Sequence, residues 1–501
     1  MTFVSYKFIG FMAAALALYY GCRQRFKIAV LIVVSAAFLW LCGGAGSLAA
    51  YALSVITVWG GALGIEKCRK RGAVIYWSIL TLNLALLALF QYVNFWGYTM
   101  EELHWIMGTE WEWEPVSRIA PVAISFYTLT LTGYLTEVYW RAIPAERSLA
   151  RLGLFGGFFP QMVMGPIARY DRLGPSLFSG SAFHKENLFQ GFYRILWGLF
   201  EKLVISERLG VIVNTVYGDY QTYTGSFLVF GAVCFAFQLY TDFAGAIDIA
   251  SGCARMFGVK LEENFRQPFY SRTVAEFWRR WHITLGGWFK DFVMYPLLKT
   301  GGFQRLGAWG RKKFGKKQGK KVPVIAALLI VWFLLGLWHG GKWTFIIGSG
   351  LYHAVLMSLA LAAEPAAKKF YQKTKIPQNH LLWILFQRIR TFILVGAGFV
   401  LFRSDSLEMA WGIFTNMFSG DMGLFSREGI LNAGLAAADL KVLAAAMAVL
   451  GLVSYKKEHA KEKEPDQSRI LMGSLALLSV VLIFGWYGKG YDPSAFIYAQ
   501  F

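Results

Sequence analysis

Long apolar runs constrain this chain more than any other feature of its 501 residues. Most of these runs are about 17–25 residues long, the length needed to cross the ~30 Å hydrocarbon core of a bilayer. Hydrophobic residues make up 56% of the chain and charged residues 16%, against roughly 45–50% and ~25% in soluble domains. The sequence therefore predicts an all-α polytopic membrane protein.

We predict one membrane domain over residues 1–501, with about 11–13 membrane segments. The stretch 152–168 holds several glycines and prolines and is predicted to be broken or re-entrant. The stretch 256–300 carries Arg and Trp and resembles interfacial helices. The candidate segments lie near 3–21, 28–43, 47–65, 73–93, 118–140, 152–168, 189–215, 225–255, 323–340, 343–363, 382–402, 434–453 and 470–488.

The net charge of +20 lies mainly in short loops between the apolar runs. The positive-inside rule explains such loops better than nucleic-acid binding does, so no nucleic-acid partner is expected. Basic loops at 23–27, 67–71 and 311–321 are assigned to the cytoplasm, and the acidic loop 98–117 to the outside. This alternation predicts that both termini are extracytoplasmic. The five cysteines form no CxxC pair, so no metal site is expected.

His339 is the leading catalytic candidate, because an ionisable side chain in an apolar run is costly and is a functional candidate by default. It lies in the sequence GLWHGG, residues 336–341, at the end of an apolar run. A neutral imidazole can take a proton from an attacking hydroxyl, and the flanking glycines let a substrate approach closely. The alternative is a core histidine that only hydrogen-bonds a neighbouring helix.

A second histidine, His282, ends the sequence EFWRRWH, residues 276–282. Arg279 and Arg280 could hold the phosphate of a coenzyme A or phosphopantetheine donor, with Trp278 on a different face of the helix. The alternative is an interfacial helix with snorkelling arginines and a tryptophan belt.

Further polar residues occur in apolar surroundings at Asp242, Asp248 and Asn264. Because a buried carboxylate needs a partner, we expect Asp242 or Asp248 to pair with Arg266 or Arg272. A structural ion pair is at least as good an interpretation as a catalytic carboxylate. Walker A, HExxH, GxSxG and dinucleotide-binding patterns are all absent from the sequence.

Together these motifs resemble the membrane-bound O-acyltransferase (MBOAT) family, and within it the bacterial alginate and peptidoglycan O-acetyltransferase membrane subunits. The match extends over most of the chain, with a motif core at roughly 118–402. The acidic block departs from the family pattern around Asp242 and suggests a divergent branch. Five blocks carry the resemblance: 121–128 (PVAISFYT), 158–170 (FFPQMVMGPIARY), 238–248 (QLYTDFAGAID), 263–282 and 336–345 (GLWHGGKWTF).

The resemblance implies a ring of helices around a central tunnel, with His339 as the main catalytic residue and His282 as the second active-site histidine. It further implies donor-binding roles near Trp278, Trp338, Asp242 and Asn264. The expected location is the bacterial inner membrane. No cofactor is expected to be bound, since the acyl donor is a co-substrate, acetyl-CoA or an acyl carrier protein thioester. An extracytoplasmic SGNH-type transferase and an acyl carrier protein are the expected partners, beside the lipid bilayer.

The sequence 496–501 reads FIYAQF and resembles an F-x-Y-x-x-F motif of related subunits. The hypothesis is that Tyr498 accepts the acyl group near His339 and passes it on. The alternative is an aromatic anchor at the membrane surface.

The function predicted on this basis is acyl transfer, with acetyl as the expected group, from a cytoplasmic thioester to an extracytoplasmic polysaccharide or peptidoglycan hydroxyl. D-alanyl transfer to teichoic acid is the enzymatic alternative. A transporter or a scaffold subunit is the non-enzymatic one, although no inverted repeat supports a transporter.

Overall fold

The computed structural model describes residues 1–109, 111–116, 120–426, 428–459, 466–487, 491 and 496. Within these residues the chain folds into helices joined by short loops, and no strand occurs. This confirms the all-α membrane fold. The α-helices are Tyr6–Gly21, Lys27–Lys67, Gly72–Gln91, Phe95–Met107, Ile124–Tyr139, Leu149–Gly157, Phe159–Met162, Tyr170–Leu177, Lys185–Leu199, Glu207–Gly218, Ser226–Met256, Val274–Arg280, Ile283–Phe289, Tyr295–Lys299, Gly301–Gly319, Val322–Trp338, Trp343–Phe345, Tyr352–Thr374, Leu381–Arg403, Leu407–Asn416, Ala437–His459 and Gln467–Phe484.

Three π-helical segments join successive α-helices without a loop. They are Phe200–Ser206, Lys290–Met294 and Ile346–Leu351. The first makes one continuous rod from Lys185 to Gly218, and the third continues into Tyr352–Thr374. A π-helical turn holds one more residue than an α-helical turn, and such turns occur frequently at functional sites.

The helix Lys27–Lys67 is 41 residues long and is interrupted at Gly44, where φ is 67° and ψ is −167°. An unbroken helix of that length would span roughly twice the hydrocarbon core. The interruption divides it into two segments of suitable length, in agreement with the predicted spans 28–43 and 47–65. Glycine adopts a positive φ without the steric penalty of a side chain.

Among the residues that the structure describes, seven helices are long and apolar enough to cross a membrane, or eight if the bent pair Gly301–Gly319 and Val322–Trp338 forms one span. The 11–13 segments include shorter and broken helices and stay a prediction. Tyr6–Gly21 and Ile124–Tyr139 contain only 16 residues each, and the predicted segment 152–168 is broken into short helices, as expected. The chain is nonetheless a multi-pass membrane protein.

Glycine pairs bring two central helices into backbone contact. A Cβ atom at Gly198 would lie 2.4 Å from the carbonyl oxygen of Gly245, and one at Gly252 would lie 2.6 Å from that of Gly191. Small residues allow this close approach between helices in membranes. The helix Ser226–Met256 is thereby fixed against Lys185–Leu199.

A second close approach lies at the end of the helix Val322–Trp338. A Cβ atom at Gly336 would lie 2.6 Å from the Cα atom of Ile346. A Cβ atom at Gly350 would lie 2.5 Å from the carbonyl oxygen of Trp332. This contact places His339 against the π-helical segment Ile346–Leu351.

Candidate active site

His339 follows the last turn of the helix Val322–Trp338, and only 2% of its surface is exposed. Its Nδ1 atom lies 3.0 Å from the hydroxyl oxygen of Ser349. That hydroxyl donates its single hydrogen to the carbonyl oxygen of Phe345, at 2.8 Å. Ser349 must therefore accept a hydrogen bond from Nδ1–H of His339, which makes Nε2 the basic nitrogen of the imidazole.

His282 lies between the helices Val274–Arg280 and Ile283–Phe289 and is 2% exposed. Its φ of 45° is in the left-handed region, which costs a residue with a side chain about 1–3 kcal/mol and occurs mainly where the surrounding structure enforces it. Two backbone hydrogen bonds enforce it here. They run from the amide of Ile283 to the carbonyl of Asn264, at 3.0 Å, and from Arg266 to Arg280, at 2.9 Å.

The side chain of Asn264 orients the imidazole of His282. Asn264 Oδ1 accepts from the backbone amide of Thr284 at 3.0 Å and from the Thr284 hydroxyl at 2.9 Å. Nδ1 of His282 lies 3.3 Å from Nδ2 and 3.4 Å from Oδ1 of Asn264. Because Thr284 engages both lone pairs of Oδ1, we assign Nδ2–H as the donor to the ring. His282 Nδ1 is then an acceptor, and Nε2 carries the hydrogen.

Thr284 extends this network to the block 158–170 of the sequence. Its hydroxyl accepts a hydrogen bond from the backbone amide of Ile167 at 3.0 Å. The irregular segment after Phe159–Met162 is thus tied to Asn264 through one threonine. The second and fourth sequence blocks therefore meet at one place in the fold.

Trp338 lies between the two histidines. Its ring centroid is 5.1 Å from that of His339 and 6.1 Å from that of His282. The indole N–H donates to the carbonyl of Ser125 at 3.4 Å, and the carbonyl of Trp338 accepts from the side chain of Gln91 at 3.2 Å. The helix Ile124–Tyr139 thus helps to hold the tryptophan in place.

Aromatic rings complete the walls around the histidines. The ring of Phe243 packs edge-on against His282 at 4.8 Å, and that of Phe402 packs edge-on against His339 at 5.6 Å. Such a lining removes water from the surroundings of the imidazoles. Chemically, the arrangement offers a base, Nε2 of His339, and a hydrogen-bond donor, Nε2–H of His282, in one buried apolar site.

The predicted donor-binding residues of the sequence EFWRRWH differ in their exposure and in their contacts. Arg279 is exposed. Arg280 forms ion pairs with Glu458 at 2.7 Å and Glu276 at 2.9 Å. Trp278 packs against another tryptophan and a further histidine, His353, with a centroid distance of 4.8 Å to the latter. Of the two arginines, Arg279 is therefore the one available to a phosphate.

The buried carboxylates have partners other than the predicted Arg266 and Arg272. Asp242 forms an ion pair with Lys202 at 2.6 Å, and Asp248 forms one with Arg194 at 2.8 Å. Both cations belong to the rod 185–218, which the glycine contacts hold against the helix Ser226–Met256. Asp242 is next to Phe243 in sequence, so its ion pair fixes the helix turn that carries the ring packed against His282.

Three residues of this region were missed in the sequence. Ser349 orients His339, Lys202 pairs with Asp242, and His353 is fully buried beside Trp278. For Lys202 and His353 the signal was the one used for His339, an ionisable side chain in an apolar run. Ser349 gives no such signal, since serine is common in membrane helices. Tyr498, the predicted relay residue, lies outside the described residues.

Several known proteins are similar to this sequence over more than half of its length. The probable alginate O-acetylase AlgI of Pseudomonas putida is 30% identical over 98% of this chain and 98% of its own. The peptidoglycan O-acetyltransferase of Helicobacter pylori is 30% identical over 71% of this chain and 67% of its own. The teichoic acid D-alanyltransferase of Bacillus subtilis is 32% identical over 58% of this chain and 70% of its own. No family model matches the chain.

A buried histidine pair in an all-helical membrane fold, together with these relatives, defines the class of protein. The chain belongs to the membrane-bound O-acyltransferase family. It is an acyltransferase, and the interpretations as a transporter or a scaffold subunit are set aside.

Proposed function

We propose that this chain transfers an acetyl group from a cytoplasmic thioester through the membrane to a hydroxyl of an extracytoplasmic polysaccharide or peptidoglycan. The observation that carries the proposal is the complementary pair of imidazoles, one fixed as a base by Ser349 and one fixed as a donor by Asn264. The names of the relatives that match most of the chain support acetyl as the acyl group and alginate or peptidoglycan as the acceptor.

The chemistry assigned to the site is addition to a thioester carbonyl followed by loss of the thiol. Nε2 of His339 takes the proton of the attacking hydroxyl while its oxygen forms a bond to the carbonyl carbon. Nε2–H of His282 donates to the carbonyl oxygen as negative charge develops there. When the carbon–sulfur bond breaks, the proton held by His339 passes to the leaving thiolate, so the histidine returns to its starting state.

Base catalysis of this kind contributes roughly 10²–10⁴-fold. The remaining acceleration comes from alignment of the reactants and from the aromatic walls, which keep out water that would hydrolyse the thioester. A buried site of this composition suits a reactive acyl donor.

In the proposed sequence of transfers the first acceptor is Tyr498. A phenol is a competent nucleophile when a base is within hydrogen-bond reach. The tyrosyl ester would then be attacked by a hydroxyl of a partner, an extracytoplasmic transferase of the SGNH type, with release of the free phenol. The donor is acetyl-CoA or an acyl carrier protein thioester, and the exposed Arg279 and the basic stretch 311–321 would attract its phosphate or acidic surface.

The proposed sidedness follows from the loop charges, with basic loops in the cytoplasm and both termini outside, in the bacterial inner membrane. D-alanyl transfer is the second candidate. Its support is the Bacillus subtilis relative, whose match covers 58% of this chain, compared with 98% for the Pseudomonas putida relative. The longer match favours acetyl transfer.

The test uses purified protein with radiolabelled acetyl-CoA, acetyl carrier protein or D-alanyl carrier protein. We expect His339→Ala to insert and purify like the wild type and to lose transfer of label by at least roughly 100-fold. Peptide mass analysis then locates label on Tyr498 in the wild type, and Tyr498→Phe abolishes it. Full transfer by His339→Ala would reject the base, whereas transfer without label on Tyr498 at any time would reject only the relay.

A further inference from the structure

A buried lysine lies at the centre of a charge cluster beside the histidine site. Lys202, in the π-helical segment Phe200–Ser206, is 1% exposed as a residue and forms ion pairs with Asp242 at 2.6 Å and Glu207 at 2.7 Å. Removing an ammonium group from water is costly unless opposite charges and hydrogen bonds surround it. Two carboxylates face one cation here, so the cluster has room for a further hydrogen-bond donor.

The C-terminal segment of the chain supplies that donor and a ring. The hydroxyl of Tyr491 donates to Glu207 at 3.1 Å. The ring of Phe496, 1% exposed, lies with its centroid 4.4 Å from Nζ of Lys202, within cation–π distance. Both described residues beyond position 487 therefore contact the same charge cluster.

A third contact fixes the point at which the segment leaves the last helix. The backbone amide of Trp486 donates to the carbonyl of Leu203 at 3.0 Å, and the guanidinium of Arg208 lies 5.1 Å from the indole ring of Trp486. The contacts at 486, 491 and 496 all fall on the rod formed by Lys185–Leu199, Phe200–Ser206 and Glu207–Gly218. Trp486, Tyr491 and Phe496 thus all contact the stretch 202–208 of that rod.

The cluster is directly connected to the active site. Asp242 precedes Phe243, whose ring packs against His282 at 4.8 Å. The carboxylate that holds Lys202 and the ring that lines the histidine site are therefore adjacent on one helix turn. A segment bound at Lys202 is bound to the helix turn that carries Phe243.

We propose that Lys202 is a positioning residue, which anchors the C-terminal segment beside the histidine pair by a cation–π contact with Phe496. The role rests on the proposed function, in which a residue two positions beyond Phe496 receives the acyl group. It adds a specific docking site for the segment and names the side chain that holds it. A lysine that served only to neutralise Asp242 and Glu207 would not need a ring over its ammonium group.

Hydrogen exchange measured by mass spectrometry on the full protein in detergent tests the anchor without any acyl donor. Phe496→Leu removes the ring and leaves the ion pairs intact. We expect exchange of the peptides beyond residue 485 to accelerate roughly 10- to 30-fold, with no change in the helix Ser226–Met256. Phe484→Leu is the matched control, because Phe484 is an exposed ring at the end of the preceding helix.

Lys202→Met should accelerate the same peptides, and adding Phe496→Leu to it should produce no further acceleration, because each variant removes the same contact. Unchanged exchange in Phe496→Leu, or acceleration spread over the whole protein, overturns the anchor. Accelerated exchange of the segment alone supports it, even if Tyr498 never carries label. The failure of the anchor and the failure of the relay are therefore distinguished.

Discussion

The hydroxyl of Ser349 is the group whose removal tests the proposed chemistry most directly. In the structure it accepts from Nδ1–H of His339 and donates to the carbonyl of Phe345. Ser349→Ala leaves the imidazole in place and removes one hydrogen bond that favours its tautomer. Loss of one buried hydrogen bond costs about 0.5–1.5 kcal/mol. At about 1.4 kcal/mol per factor of ten, kcat should fall roughly 2- to 13-fold.

The assay is steady-state transfer of label from the thioester donor, with kcat and KM determined separately. KM should stay within roughly twofold, because the hydroxyl acts on the histidine and not on the donor. Ser358→Ala is the matched control. Ser358 is also buried, on the helix Tyr352–Thr374 that continues from the same π-helical segment, and its hydroxyl has no hydrogen-bond partner among the described residues.

The combination with His339→Ala separates orientation of the histidine from a general loss of packing. If Ser349 acts through His339, Ser349→Ala should cause no further loss of activity in the His339→Ala background. Wild-type kcat in Ser349→Ala, or an equal proportional loss in both backgrounds, would refute the reasoning.

Two further predictions concern the supporting residues. Asn264→Ala should lower kcat roughly 10- to 100-fold in the same assay. In this variant His282 loses the group that keeps its hydrogen on Nε2, and two donors of Thr284 lose their acceptor. Unchanged kcat would contradict the assigned tautomer. Gly336→Ala should destabilise the protein by about 1–3 kcal/mol in thermal unfolding, since its Cβ would meet the backbone of Ile346 at 2.6 Å. The control Gly396→Ala, with nothing within 4 Å of its Cβ, should be neutral or stabilising, and an equal loss in both would argue against the tight contact.

The all-α membrane fold could be predicted because its main signal, the length of the apolar runs, is local in sequence. The break at Gly44 and the irregular stretch after Leu149–Gly157 were also predictable from glycine and proline. The number of spans stays a prediction, because helices such as Tyr6–Gly21 and Ile124–Tyr139 are apolar but contain only 16 residues each. Composition alone does not give the length of a helix.

The histidines were found in the sequence, but the residues that orient them were only partly found. Asn264 was identified because a polar residue stood in apolar surroundings, whereas Ser349 had no such contrast. The ion-pair partners were predicted as nearby arginines, but Asp242 pairs with Lys202, 40 residues earlier in the chain. Partners of this kind depend on how helices pack, which the glycine contacts decide and a single sequence does not display.

The π-helical segment Ile346–Leu351 determines the direction, around the helix axis, of each side chain that follows it on its helix. Ser349 lies within it and His353 directly after it. Deleting one residue between Ser349 and His353 would restore α-helical winding and change the angle between their side chains about the helix axis. Such a deletion would therefore disturb the contact of Ser349 with His339 or the packing of His353 against Trp278, even though composition and hydropathy would be almost unchanged.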